Sequence, residues 1–452
     1  MLAAQGMRHA RRVGRTCFPA LRSRLAAARK STLPQGADQD ASPPRTSADY
    51  FALEDRYNAQ NYKPVPVVLN KGRGVFVWDV EGRKYYDFMS AYSAVNQGHC
   101  HERIVQALVD QAQRLTLTSR AFCSDALGEY TEFITSFFGY DRVLPMNTGV
   151  EGGETAMKLA RRWAYDVKGV EAGKAHVLFA ENNFWGRTLA AVSASTDPEA
   201  RGGFGPFMPE FSTIPYNDVG ALRAAIEANP NVCAFMVEPI QGEAGVVVPD
   251  DGYMTQVQAL CREHRVLLIA DEVQTGLCRT GKMLACDYDQ AKPDLLILGK
   301  ALSGGVYPVS AVLGSDEVML TIRPGQHGST YGGNPMACRV AMAALNVLRD
   351  EDMAANSFRM GQRLRKGLEE AAGPAVELVR GKGLFNAVVI RDDPRGEGEG
   401  GRAWDVCLRL KEKGLLAKPT HGNIIRLAPP LCITEAQLDE SLGILTETLK
   451  EM

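Results

Sequence analysis

Nowhere in the 452 residues does an apolar run approach the roughly 18 that a membrane helix needs. The longest, such as Val266 to Ala270 and Leu295 to Leu298, are short, so a membrane-spanning protein is not expected. The ten cysteines contain no C-x-x-C pair and none of the dense spacing of a disulfide scaffold or zinc finger. Reduced thiols are therefore expected, Cys278 and Cys286 among them. His99-Cys100-His101 offers three ligand types in a row but no distant fourth, a poor tetrahedral site, and no metal is expected. There is no internal repeat, and the single low-complexity stretch, Gly396 to Gly401, reads as a loop.

Acidic residues are missing from residues 1 to 37, which carry eight Lys or Arg, whereas the remaining chain holds 43 basic and 53 acidic residues. So acidic a body lacks the field that draws a protein to phosphate backbones, and nucleic acid is not an expected partner. Arg8, Arg11, Arg15, Arg22 and Arg29 would align along one side of a helix, although Pro19 interrupts it. An Arg-rich, acid-free amphipathic segment describes a mitochondrial transit peptide, so the matrix is the expected location. A disordered basic tail on a cytoplasmic protein is the alternative. Ser31 to Ser47 reads as a linker, and the fold is expected to begin near Ala48.

With 45% hydrophobic and 23% charged residues the chain is of ordinary globular composition, and at this length it requires two or more domains. Val143 to Met146, His176 to Ala180, Cys233 to Val237, Val266 to Ala270, Leu295 to Leu298 and Val309 to Leu313 are short unalternating apolar runs between helical patterns. Strands buried on both faces imply an α/β fold, a mostly parallel sheet flanked by helices. Several of these runs end in polar residues: Asn147 and Thr148, Glu238, Asp271 and Glu272, and Lys300. Ligands bind beyond the carboxyl ends of such strands, so one site is expected there. Ala375 to Ile390 and Ile424 to Pro429 look like strands, and 404–413 and 434–450 like helices, the latter opened by a Thr434–Gln437 capping box. They suggest a smaller α+β domain. The expected division is 1–47 targeting segment and linker, 48–102 and 349–452 smaller domain, and 103–348 large domain.

Three features carry chemistry. Asn147 to Arg161 passes from a Gly-rich turn into a helix, whose first N–H groups suit a phosphate. Asp271 stands just past a buried strand, with Val273 on the same side of an extended segment, and needs a partner such as a protonated ring nitrogen. Lys300 directly follows an apolar strand, where desolvation would lower its pKa and free its amine to attack an aldehyde. Singly, each has a bland alternative: a turn, a helix cap, a structural lysine. Together they are what pyridoxal phosphate requires of a protein.

The segments NTGVEGGETAMKLARR, NFWGRTLAA, VEPIQGEAGVV, IADEVQTGLCRTG, LILGKALSGGVYPVSAVLG, HGSTYGGNP and GLLAKPTHGNIIRLAPPL extend this pattern over most of the chain. From about Asn61 onward the sequence resembles the class-III, fold-type-I pyridoxal-phosphate aminotransferases. The resemblance implies that Lys300 bonds the aldehyde of pyridoxal 5'-phosphate and acts as general base, and that Asp271 partners the ring nitrogen. Gly149 and Val150 would hold the phosphate, with Ser329 and Thr330 supplied by the other subunit of a homodimer. Phe184 and Val273 would flank the ring, Gln274 would bond its hydroxyl, and Glu238 would support that network. Arg187 with Tyr62 would hold the substrate α-carboxylate, Arg426 that of 2-oxoglutarate, and Glu243 would cover Arg426, with Tyr92 lining the pocket. One departure is Gly152, where the family usually has alanine; it is expected to cost helix propensity and loosen the cradle. His327 and His421 lie in Gly-flanked loops with no derived role.

The implied reaction moves the δ-amino group of L-ornithine to 2-oxoglutarate by a ping-pong mechanism, giving glutamate 5-semialdehyde and glutamate. The partners are accordingly small amino acids and 2-oxo acids. N-acetylornithine or 4-aminobutyrate as amino donor is the alternative within the family. Outside it stands a non-catalytic protein that binds a phosphate-bearing metabolite.

Overall fold

Residues 45–371, 373–391 and 401–452 are described by a computed structural model. The expected targeting segment, the linker as far as residue 44, and residues 396–400 of the Gly-rich loop lie outside them. Ser47 belongs to a helix, Ser47–Tyr57, held at its start by a capping box between Thr46 and Asp49. Residues 45–452 form one compact unit.

Three short strands, β1 (Leu69–Arg73), β2 (Phe76–Asp79) and β3 (Lys84–Asp87), make an antiparallel meander that the sequence reading did not anticipate. Next comes a seven-stranded sheet of β4 (Arg142–Met146), β5 (His176–Ala180), β6 (Phe211–Ile214), β7 (Val232–Val237), β8 (Leu267–Asp271), β9 (Leu295–Leu298) and β10 (Ser310–Gly314). Its order is β4-β10-β9-β8-β7-β5-β6. Helix α1 (Gly149–Trp163) covers one face, where Ala156, Leu159 and Ala160 pack with Ile269, Ile297 and Val312. On the other face Leu178, Phe235 and Leu268 meet Leu222, Val257 and Leu260. Burial from both sides explains the unalternating runs. The edge strand β6, Phe-Ser-Thr-Ile, is polar in its middle and fully buried only at Ile214, so it presents no unbroken apolar run.

One orientation differs from expectation. Val309 to Leu313 was read as part of a parallel sheet, but β10 runs antiparallel to both β4 and β9. Only residues 299–309 separate β9 from β10, fewer than a parallel crossover requires.

The C-terminal segment supplies β11 (Val376–Lys382), β12 (Phe385–Ile390), β13 (Leu415–Leu416), β14 (Lys418–Thr420) and β15 (Ile424–Leu427), with helices α2 (Gly401–Glu412) and α3 (Glu435–Lys450). The stretch 375–390 is a hairpin, turned at Gly383, whose φ of 56° favours glycine. Gly401 begins α2 rather than ending a loop. Thr434 and Gln437 form the expected capping box, and Leu438, Leu445 and Leu449 are buried. β13 leaves its neighbours in sequence to pair in parallel with β3, so the four-stranded sheet β1-β2-β3-β13 is built from both ends of the described chain, while β11-β12-β15-β14 form a second four-stranded sheet.

Gly152 has a packing reason. A Cβ there would stand 2.8 Å from Ile297 Cγ2, so α1 lies closer to the sheet than alanine allows without a shift. The expected loosening of the helix start is thus replaced by close approach.

Between β3 and the large sheet, Ser90, Ala91, Tyr92 and Ser93 all have positive φ, forming a left-handed turn of four L-residues. Such backbone costs about 1–2 kcal/mol per residue. The Asp87 carboxylate holds it by accepting the N–H groups of Met89 (2.8 Å) and Ser90 (3.0 Å). Ala91 is exposed, so Ala91→Gly removes strain without removing packing. Urea denaturation is expected to show a gain of about 0.5–1 kcal/mol; a loss would show that the turn is not strained there.

Candidate active site

The parallel strands deliver their last residues to one place. β7 runs into Glu238, β8 ends on Asp271, β9 leads through Gly299 to Lys300, and β4 feeds the start of α1. These ends surround a cavity of about 200 Å³. Glu238, Asp271 and Lys300 are its charged lining, with Gly149 and Val150 beside them. Phe184, Val273 and Gln274 complete the set that the sequence assigned to this chain's own cofactor contacts. Trp185 and Gly186 also line it; they were not singled out, although they sit between Phe184 and Arg187.

Asp271 does not continue into an extended segment. Its Oδ1 accepts the Val273 N–H at 3.0 Å, and the chain turns there, so Val273 reaches the cavity by a turn and not by strand alternation. A Cβ on Gly149 would lie 2.9 Å from Val273 Cγ1, so this turn and the start of α1 come together only over a glycine. Glu238 accepts two backbone N–H groups, from Phe184 (3.0 Å) and Gly242 (3.1 Å), and so fixes two loops. Burial, reinforced by the Asp271 charge, pushes the Glu238 carboxyl up to about 8. Burial also raises Asp271 to about 6, against the Val273 N–H and Lys300, which lower it. Lys300 is lowered by burial, with Asp271 and Glu238 opposing, and its φ of 44° is left-handed.

At the start of α1 the Thr148 hydroxyl caps the Glu151 N–H, and the Glu151 carboxylate accepts the Thr148 N–H. The N–H groups of Gly149 and Val150 are left with no acceptor among the described residues. Two free donors at the positive end of a helix suit a phosphate. A buried carboxylate that makes no ion pair among the described residues suits a cationic ring nitrogen, and a buried lysine whose charged form desolvation disfavours suits an aldehyde. The residues present fit pyridoxal phosphate.

The substrate candidates divide into two groups. Arg426 on β15 is buried; its Nη1 lies 3.0 Å from Glu243 Oε2 and 3.5 Å from Gln274 Oε1, and its guanidinium covers the Tyr92 ring at 4.8 Å. Arg426 Nε is buried without a hydrogen-bond partner among the described residues. Arg187 is exposed, its guanidinium 5.5 Å from the Phe184 ring centre. Tyr62 is exposed at 71%, with Lys418 Nζ 5.8 Å from its ring. Among the described residues no hydrogen bond or ring contact joins Tyr62 to Arg187. Ser329 and Thr330 do not line this chain's cavity: Ser329 Oγ accepts the Asn147 amide at 2.9 Å, and Thr330 is exposed. His99 and His101 are tied to Asp87 and Glu351. Cys278 and Cys286 are buried and unpaired, with burial pushing the Cys278 thiol up to about 12. No helix among the described residues is long and apolar enough to cross a membrane.

Residues 57–449 match the family model described as aminotransferase class-III. The mitochondrial ornithine aminotransferase of Drosophila melanogaster is 61% identical over 96% of this chain and 100% of its own length. A Toxoplasma gondii ornithine aminotransferase, solved with partial occupancy of PLP at its active site, superposes with a TM-score of 0.87 at 49% identity, covering 90% of this chain and 95% of that one. The acetylornithine aminotransferase of Elizabethkingia anophelis gives a TM-score of 0.82 at 53% identity, covering 90% and 100%.

Proposed function

Since this chain belongs to the class-III aminotransferases, we propose that it is a pyridoxal-phosphate enzyme moving the δ-amino group of L-ornithine to 2-oxoglutarate. The observation that carries the reading is the meeting of Lys300, Asp271 and the open N–H groups of α1 around one cavity. When bound, pyridoxal phosphate supplies an aldehyde that joins amines and a ring that takes up carbanion charge.

The chain's own residues do the rest. Gly149 and Val150 would donate their N–H groups to the phosphate. The Asp271 carboxylate would keep the proton on the ring nitrogen. Lys300 Nζ, whose charged form burial disfavours, would take the proton from the substrate carbon that bears the reacting amine and deliver it to the cofactor, where the amine is left. Phe184 and Val273 would flank the ring, and Gln274, linked to Arg426, would bond its hydroxyl. Arg187 grips the α-carboxylate of ornithine, with Tyr62 closing over it on binding and Tyr92 beside it. Arg426 receives the α-carboxylate of 2-oxoglutarate once Glu243 gives up the ion pair. Ser329 and Thr330 reach the phosphate of the other subunit in a homodimer. Residues 103–348 are the cofactor-binding domain, and 48–102 with 349–452 the smaller one. The basic segment 1–37 directs the protein to the mitochondrial matrix, in keeping with the name of the Drosophila relative; a reporter fused to residues 1–45 that stays diffuse in the cytosol would defeat this.

The half-reaction tests the function. L-Ornithine alone, with no keto acid, is expected to change the visible absorption of the bound cofactor, and N-acetylornithine and 4-aminobutyrate are not. A response to another amine would change the substrate. No visible band after added pyridoxal phosphate would favour the phosphate-metabolite binding protein. Arg187→Leu is expected to raise KM for ornithine, and Arg426→Leu that for 2-oxoglutarate, each by about 10- to 100-fold, the loss of charge-assisted hydrogen bonds. An equal effect of either variant on both substrates would rule out separate carboxylate sites.

A further inference from the structure

His327 is held by both ring nitrogens, an arrangement that the reaction does not use. Its Nε2 lies 2.8 Å from Thr155 Oγ1 and its Nδ1 lies 3.0 Å from Lys158 Nζ. The Thr155 hydroxyl already donates to the Glu151 carbonyl at 2.7 Å, so Nε2 must donate to Thr155. An ammonium only donates, so Nδ1 must accept from Lys158. The network therefore admits the neutral, Nε2-protonated ring alone. Lys158 also donates to the Gln326 carbonyl at 2.9 Å. Two residues beyond His327, Ser329 Oγ takes the Asn147 amide, which also bonds Glu151. Residues 326 and 327 are thus fastened to one face of α1 at Thr155 and Lys158, and Ser329 is tied through Asn147 to Glu151 one turn earlier on that face.

We propose that His327 is a positioning residue: in its neutral form it fixes Ser329 and Thr330 for the phosphate of the other subunit's cofactor, and acid releases them. The proposal rests on the reading that those two residues complete a neighbouring phosphate site. Protonation would set a second donor and a like charge against Lys158. Burial and then Lys158 hold the His327 pKa below its ordinary value, with Glu151 opposing; these are the charged groups that face it. The sign follows. Above the ordinary histidine pKa of about 6.5 the neutral ring costs nothing, and the penalty for keeping it neutral grows as pH falls below that value.

The experiment compares holoenzyme of the unaltered protein with His327→Ala, Lys158→Met and Thr330→Ala. Each is gel-filtered between about pH 5 and 8 and scored for retained cofactor by absorbance and for dimer by sedimentation. The unaltered protein is expected to shed cofactor as pH drops below about 6.5. His327→Ala should retain it on the order of tenfold less tightly at neutral pH, the worth of about one hydrogen bond, and lose the acid step. Lys158→Met, which lifts both the competing donor and the like charge from Nδ1, should weaken or abolish that step. An unchanged acid step in either variant overturns the proposal; the lysine variant decides if the alanine variant does not fold. Weakened retention in Thr330→Ala together with an unchanged step in the others would leave the shared phosphate site standing. Full retention in Thr330→Ala would remove that site, and the proposal with it.

Discussion

Lys300→Ala is expected to lose turnover on the order of 10⁴-fold, the upper range for removal of a positioned proton-transfer group. Because the same amine also bonds the cofactor, borohydride reduction should fix cofactor to the unaltered protein and not to the variant. Stability should move little. The amine is buried and disfavoured in its charged form, so its removal trades a desolvation penalty for a void. A denaturation midpoint near that of the unaltered protein, with turnover gone, is the expected pair of results. Turnover within tenfold of normal would disprove the role of Lys300 as general base.

Arg279→Leu should do the opposite, costing about 3–5 kcal/mol of stability, as removing one partner of a buried polar network does. Arg279 is fully buried. Its Nε and Nη2 both reach Asn96 Oδ1, at 3.1 and 2.6 Å, and its Nη1 donates to the carbonyls of Leu384 (3.0 Å) and Pro429 (2.7 Å). One guanidinium thereby joins the segment after the left-handed turn, the β11–β12 hairpin and the end of β15. Leucine would strand an amide oxygen and two carbonyls away from water. Arg279→Lys should fail almost as badly, since a single ammonium cannot span the fork. Urea unfolding of cofactor-loaded protein measures both, and a change under 1 kcal/mol in either would contradict the network's importance.

Both residues lie within segments quoted from the sequence, yet only Lys300 was legible as important. A charged residue at the end of an unbroken apolar strand advertises itself, as Lys300, Asp271 and Glu238 do, because strands buried on both faces leave no other reason for the polarity. Arg279 sits in a run of turns, where a charge is ordinarily solvated and no periodicity betrays burial. Gly152 looked like a flaw in a helix because propensity is local, whereas its contact with Ile297 spans 145 positions. The turn at Asp271 was misread for a related reason: an Asx side chain captured the backbone N–H that extension would have left free. The antiparallel course of β10 was legible in principle, from the length of its connection. The left-handed turn at Ser90 to Ser93 was not, since nothing in Ser-Ala-Tyr-Ser favours positive φ.

The pairing of β3 with β13 sets a timetable for folding. Tyr86 donates its N–H to the Gly414 carbonyl at 2.8 Å and Phe88 to that of Leu416 at 2.9 Å, so the edge of a sheet begun within the first ninety residues stays open until residue 416 has been made. Closing so long a loop is slow and entropically costly, and an open sheet edge meanwhile recruits other strands. A nascent chain therefore cannot close its amino-terminal sheet until nearly all of it has been made. Until then the exposed edge of β3 is a handicap for solubility during synthesis.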